Sequence, residues 1–144
     1  APTPAPAPGT PPAPSSAPGP IPDRAAPLLG VSVSPNRSLR DLVRRTALRS
    51  RVRCSEACRL SIQVTLPAQT ARRLGFGRVT RPVALARTTA TTTRAGTVTR
   101  RLRLSTTERR RLNRARSVRL TVRVRATDPA GNVRNRITRV SLRR

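Results

Sequence analysis

Apolar and polar residues alternate with a period of two across residues 47 to 66. Leu48, Ser50, Val52 and Cys54 fall on one side and Arg49, Arg51 and Arg53 on the other, the pattern of a strand with one buried face. The phase survives Ser55-Glu56-Ala57: Cys58, Leu60, Ile62, Val64 and Leu66 share a side, opposite Arg59, Ser61, Gln63 and Thr65. Both cysteines therefore lie on the apolar side of a strand corner, where a Cys54–Cys58 disulfide is expected. A stricter alternation runs from Val118 through Leu120, Val122 and Val124 to Ala126, with Arg119, Thr121, Arg123 and Arg125 between them. It predicts a central strand.

Shorter runs predict strands at residues 30–34, 79–90 and 97–104. Val83 and Leu85 mark the second of these, and Val98, Leu102 and Leu104 the inner side of the third. Arg100 shares that side and is expected at the rim, its stem packed and its head in water. In the last run Val133 and Ile137 lie on one face and Val140 and Leu142 on the other, which predicts a bulge between residues 137 and 140.

Helix signals fall between the strands. Ser38-Leu-Arg-Asp41 has the form of a capping box with Asp41 at N3, and Leu39, Leu42 and Val43 recur at helical spacing. Pro67 suits the first turn of a short helix to Leu74, closed by Gly75, and Phe76 is expected to plug the core beneath this connection. Ser105-Thr-Thr-Glu108 is a full capping box opening a basic helix to about residue 115. Before the last strand, Asp128, Gly131 and Asn132 carry turn chemistry: Asp128 bonds forward to the backbone, Pro129 fixes φ and Gly131 tolerates positive φ.

Residues 1–27 differ from all of this. Most of the 15 prolines crowd here among Ala, Gly, Ser and Thr, a composition that buries too little apolar surface to order itself. A disordered, extended linker is expected, with a single domain over 28–144. At about 3.1 Å per residue in polyproline II, residues 1–22 reach roughly 70 Å.

Taken together, the strand runs, turn signals and two or three short helices in connections describe an all-β, antiparallel sandwich. The order Val-Arg-Cys-Ser-Glu-Ala-Cys (residues 52–58), a capped helix after Leu104-Ser105, and Val-Arg-Leu-Thr-Val-Arg-Val-Arg-Ala-Thr-Asp-Pro-Ala-Gly-Asn (residues 118–132) resembles bacterial immunoglobulin-like or fibronectin-type-III-like domains of secreted, Arg-rich multidomain proteins. The resemblance covers residues 28–144. It departs from antibody-type domains in lacking the strand Trp, the corner Tyr and a long inter-sheet disulfide, so an aliphatic core is expected. Read locally, Cys54 and Cys58 flank a three-residue hairpin turn; the resemblance implies instead that this segment passes between sheets. Either way the ring is short, and the loop-entropy relation gives about 2 kcal/mol for the bridge.

Charge and composition then narrow the function. The net charge is +26, from 31 basic residues against 5 acidic, and every basic residue is Arg. Arg, Ala and Pro share GC-rich codons, so a GC-rich genome produces the same excess without any partner. Whatever its origin, such a charge attracts phosphate and carboxylate polymers with steep salt dependence. Arg49, Arg51 and Arg53 on one strand and Arg119, Arg123 and Arg125 on another are the candidate polyanion contacts, because outward guanidinium ladders match such groups. Anionic cell-envelope polymers and other domains of the same protein are the expected partners. With one Phe and neither Trp nor Tyr for stacking, nucleic acid is expected to bind only non-specifically.

Acid–base catalysis needs a histidine or a titratable pair, and the chain has no His and five scattered carboxylates. Two cysteines alone do not complete a zinc site, and Asp128 with its amide neighbours offers calcium too little charge. Neither an enzyme nor a cofactor or metal is expected. The absence of Met implies a mature product or an excised fragment, no apolar run approaches the roughly 20 residues of a membrane span, and the cysteine pair points to an oxidising compartment. The expected role is a non-catalytic, secreted or cell-surface accessory module. The alternative is a basic protein that binds or compacts nucleic acid without sequence preference.

Overall fold

The computed structural model describes residues 2–5, 8–9 and 24–144. Residues 2–5 and 8–9 carry neither helix nor strand; most of the linker expected over 1–27, including Asp23, lies outside the described residues. From there the chain forms β1 (Leu29–Ser34), α1 (Leu39–Arg45), β2 (Ala47–Cys54), β3 (Cys58–Leu66), α2 (Ala68–Arg73), β4 (Val83–Thr92), β5 (Gly96–Arg103), α3 (Thr106–Leu112), β6 (Ser117–Thr127) and β7 (Val133–Arg143).

The strands form two antiparallel sheets, ordered β1-β2-β5 and β4-β3-β6-β7. β2 and β3 belong to different sheets, so Cys54–Cys58 is a sheet crossing and not a hairpin, its Cα atoms 6.6 Å apart. β6 is an interior strand, as its strict alternation predicts, and shares the middle of its sheet with β3.

The inner faces enclose an aliphatic core. Its largest fully buried side chains, among them Leu48, Val52, Leu60, Ile62, Val64, Leu102 and Leu120, are Leu, Ile and Val, each contributing about 1.5–3 kcal/mol by leaving water. Phe76 is half-buried against this core, and the Arg111 guanidinium lies 4.9 Å from its ring centroid. The expected plug is therefore an edge residue, covered from outside by an arginine.

Caps set the helices. Ser38 Oγ accepts from the Asp41 N–H at 3.2 Å, and Leu39 and Leu42 bury the inner side of α1. The return bond of a capping box is made at α3, where Glu108 Oε2 accepts from the Ser105 N–H at 2.9 Å and Ser105 Oγ accepts from the Glu108 N–H at 3.2 Å. Ser38 and Asp41 make only the first half, because the shorter Asp side chain reaches back less far. Pro67 stands at the N-cap position of α2, one residue ahead of the first turn and without a side-chain cap, and Gly75 takes φ 83° just beyond the helix.

Strand direction sorts the connections. α1, α2 and α3 and the end of β7 lie at one end of the sandwich; the Cys54–Cys58 corner, the turns after β4 and β6, and the entry into β1 lie at the other. The entry is tied down: the Leu28 N–H donates to Ser55 Oγ at 2.9 Å and the Ser55 N–H to the Leu28 carbonyl at 3.1 Å.

Two expectations about strand shape are corrected. β7 pairs with β6 in unbroken register from Thr127↔Val133 to Ser117↔Arg143, with no bulge between Ile137 and Val140. Val133 and Ile137 instead face solvent, 38% and 54% exposed, while Val140 and Leu142 are buried. β7 is an edge strand, and Arg134 and Arg136, opposite Ala126 and Val124, hold its inward positions while remaining exposed, the Arg134 Nε–H donating to the Pro27 carbonyl at 3.1 Å. The register shift occurs in β4, where Val64 pairs with Ala86 and Thr65 with Ala84, leaving Leu85 as the extra, buried residue. β4 also begins at Val83, after the exposed Arg81-Pro82, and not at Val79. Arg100 is exposed on edge strand β5, as expected of a rim residue.

Ser50, inward-facing on β2, is fully buried and its hydroxyl has no hydrogen-bond partner. An unpaired buried polar group costs about 1–3 kcal/mol. Ser50→Ala is therefore expected to raise the urea midpoint at constant slope by the equivalent of about 1 kcal/mol; a lowered midpoint would mean that the hydroxyl is satisfied.

Candidate anion-binding surfaces

Alternation puts Arg49, Arg51 and Arg53 on the outer side of β2, all exposed, at intervals of about 6.6–6.8 Å along the strand. The neighbouring strands surround them with small residues and one further arginine. Gly30, Ser32 and Ser34 of β1 stand opposite Arg53, Arg51 and Arg49; Thr97, Thr99 and Arg101 of β5 stand opposite the same three residues on the other side. Two shallow troughs result, of 370 Å³ beside Arg51 and Arg53 and of 560 Å³ beside Arg49 and Arg51. Each offers guanidinium forks flanked by hydroxyls, which suits a linear chain of oxyanions.

Arg119, Arg123 and Arg125 are likewise exposed on the outer side of β6, in the other sheet, so the two sets of arginines face opposite sides. Nor do these three act together. Thr121 separates Arg119 from the other two; Arg123 lies in the row Arg87–Gln63–Arg123–Ile137 and Arg125 in the row Thr89–Ser61–Arg125–Asn135. Arg119 belongs to a different grouping. With Arg73, Arg116 and Arg143 it lines a cleft of 620 Å³ between α2 and the β6–β7 pair. The sequence carries part of this signal, in Gln69, Thr70 and Arg73 at one-turn spacing and in Arg116-Ser117-Val118-Arg119, but only the sheet register brings the two stretches together.

The carboxylates lie elsewhere. Glu108 and Asp41 sit in α3 and α1, Glu56 in the disulfide corner and Asp128 in the β6–β7 turn, so among the described residues neither outer sheet face carries an acid. At the corner, Thr92 Oγ1 accepts from the Cys58 N–H at 2.9 Å, bracing the start of β3 against the end of β4. No group of three or more His, Cys, Asp or Glu that could hold a metal ion occurs among the described residues.

Asp128 fills the turn role that its sequence predicts. Its two carboxylate oxygens accept from the Asn132 N–H at 2.8 Å and from Asn132 Nδ2 at 2.9 Å, while Gly131 takes φ 88°. Burial pushes this carboxyl up, but hydrogen bonds from the Asn132 side chain and from the Asn132, Ala130 and Gly131 backbone outweigh it and hold the group below its ordinary value. With the folded-state value below the unfolded one, the resulting stability is fully present above the unfolded value and is lost as pH falls through the folded one. The wild-type advantage over Asp128→Asn, measured by urea unfolding, should be greatest near neutral pH and shrink through the acid range; an advantage that stays constant with pH would contradict this account.

No helix among the described residues is long and apolar enough to cross a membrane. No protein-family model matches the chain and no curated protein sequence matches it, so the functional reading rests on the residues themselves.

Proposed function

We propose that the chain is a non-catalytic, extracellular or cell-surface accessory module that spaces or presents neighbouring domains and holds anionic envelope polymers on its arginine faces. The carrying observation is the outer face of β2: three regularly spaced arginines, with Gly30, Ser32, Ser34, Thr97, Thr99 and one further arginine, Arg101, opposite them, and no carboxylate on either outer sheet face among the described residues. Such a surface matches a repeating phosphate or carboxylate chain.

Other features support the remaining parts of this reading. Constant-type immunoglobulin domains place the fourth strand beside the fifth; here the fourth pairs with the third, which is why we favour the fibronectin-type-III-like variant. The described chain enters at one end of the sandwich and reaches Arg143 at the other, so the domain contributes its own length, about 35 Å along an eleven-residue strand, to any series it joins. A disulfide with no free cysteine among the described residues fits an oxidising compartment. The capping and turn positions of Glu108, Asp41 and Asp128 give those carboxylates structural roles and favour a non-catalytic module.

Fluorescence anisotropy with labelled poly(glycerol phosphate) tests the proposal. Binding that persists at physiological salt and weakens log-linearly as salt rises is expected. No binding at physiological salt, or binding to duplex DNA far tighter than to the flexible polymer, would transfer the chain to the nucleic-acid reading or remove the polyanion role.

A further inference from the structure

The cleft at the helical end has a definite construction. Across the β6–β7 ladder Ser117 stands opposite Arg143 and Arg119 opposite Ser141. On the outer face the two arginines therefore occupy one diagonal and the two serines the other, with diagonal spacings of about 7–8 Å. The facing wall is α2, whose Gln69, Thr70 and Arg73 share one side of the helix, and Arg116 closes the approach to β6. Leu74, Val118 and Leu142, whose side chains are buried in the core, complete the lining.

Four arginines thus line one concavity whose lining contains no carboxylate. A cleft of a single charge sign focuses the field within it and concentrates counter-ions there. The hydroxyls of Thr70, Ser117 and Ser141 and the Gln69 amide add neutral donors between the charged ones. At 620 Å³ the cleft falls in the size range of small-ligand sites. A carboxylate offsets one of the four charges and orthophosphate at most two, whereas linked phosphoryl groups offset all four and meet the forks of several arginines. We propose that this cleft binds an oligophosphate, two or more phosphoryl groups joined in a row, as a single stoichiometric site. This goes beyond polymer holding by the sheet faces and does not depend on it.

Isothermal titration of the full chain with inorganic tripolyphosphate at physiological salt provides the test. One bound molecule per chain is expected, and the double variant Arg119→Ser/Arg143→Ser should bind about tenfold more weakly or worse. The charge-matched double variant Arg51→Ser/Arg53→Ser, on the opposite face, should change affinity by less than about twofold. Arg119→Lys/Arg143→Lys keeps the charge but loses the planar forks and should also weaken binding, by about threefold or more. Equal losses in the two serine doubles, several equivalent tripolyphosphates per chain, or orthophosphate or a phosphodiester oligomer bound as tightly as tripolyphosphate would overturn the proposal. All four substituted positions are exposed, and an unchanged melting temperature confirms that each variant folds. A failed polymer test on the sheet faces leaves these outcomes unaltered, so the two failures are separable.

Discussion

Ile62→Ala should lower the unfolding free energy by about 3 kcal/mol, whereas Ile137→Ala should leave it within about 0.5 kcal/mol. Both residues are Ile in the four-stranded sheet, so strand propensity does not distinguish them. Their surroundings do. Ile62 is fully buried on the inner side of β3, between Thr88 of β4 and Val124 of β6, and its truncation leaves a cavity in a core that relaxes only in part. Ile137 is 54% exposed on the outer side of edge strand β7, where Ala already loses most of its contact to water. Urea unfolding of both variants measures the contrast, and comparable losses would mean that β7 has the opposite facing.

The same pair marks how much of the fold is legible in the chain. Where both neighbours in a sheet and the facing sheet cover a strand, inward positions are apolar with Ser50 the exception, and the alternation of β2, β3 and β6 gives the observed facing residue by residue. At the edges that constraint relaxes. Arg134 and Arg136 occupy inward positions of β7 because the sheet edge leaves them exposed, with Arg134 donating to the Pro27 carbonyl, and Val133 and Ile137 stay outside; read as though all apolar residues must be buried, they suggest a bulge that is not there. The real register shift, at Leu85, leaves only a faint trace, since Val83, Leu85 and Ala86 read equally well in either phase. Caps and turns are local chemistry, and Ser38, Ser105, Glu108, Asp128 and Gly131 take the predicted roles. The arginine ladders are legible for the same reason as the strands. The cleft is not, because Arg73 and Arg143 are brought together by sheet register across 70 positions of sequence.

The triple variant Arg49→Ser/Arg51→Ser/Arg53→Ser should bind poly(glycerol phosphate) roughly a hundredfold more weakly at about 0.1 M salt, taking about 1 kcal/mol for each basic residue facing an anionic surface. Its dependence of log affinity on log salt should also flatten by about 2, since each lost contact to a flexible phosphate chain removes about 0.7 from the slope. A charge-matched triple variant at scattered positions, Arg40→Ser/Arg94→Ser/Arg110→Ser, should lose less than about fivefold, because screening separates charges more than about 10 Å apart. The comparison separates an ordered ladder from a merely basic surface. All six positions are exposed, and stability should stay within about 0.5 kcal/mol in either variant.

The most direct test of the account is side-chain NMR of the arginine Nε–Hε groups during titration with poly(glycerol phosphate). Arg49, Arg51 and Arg53 on one face, and Arg123 and Arg125 on the other, should shift first and furthest, while Arg40, Arg94 and Arg110 change little. Uniform, simultaneous shifts across the arginines would contradict the account, reducing the ordered ladders to net charge alone.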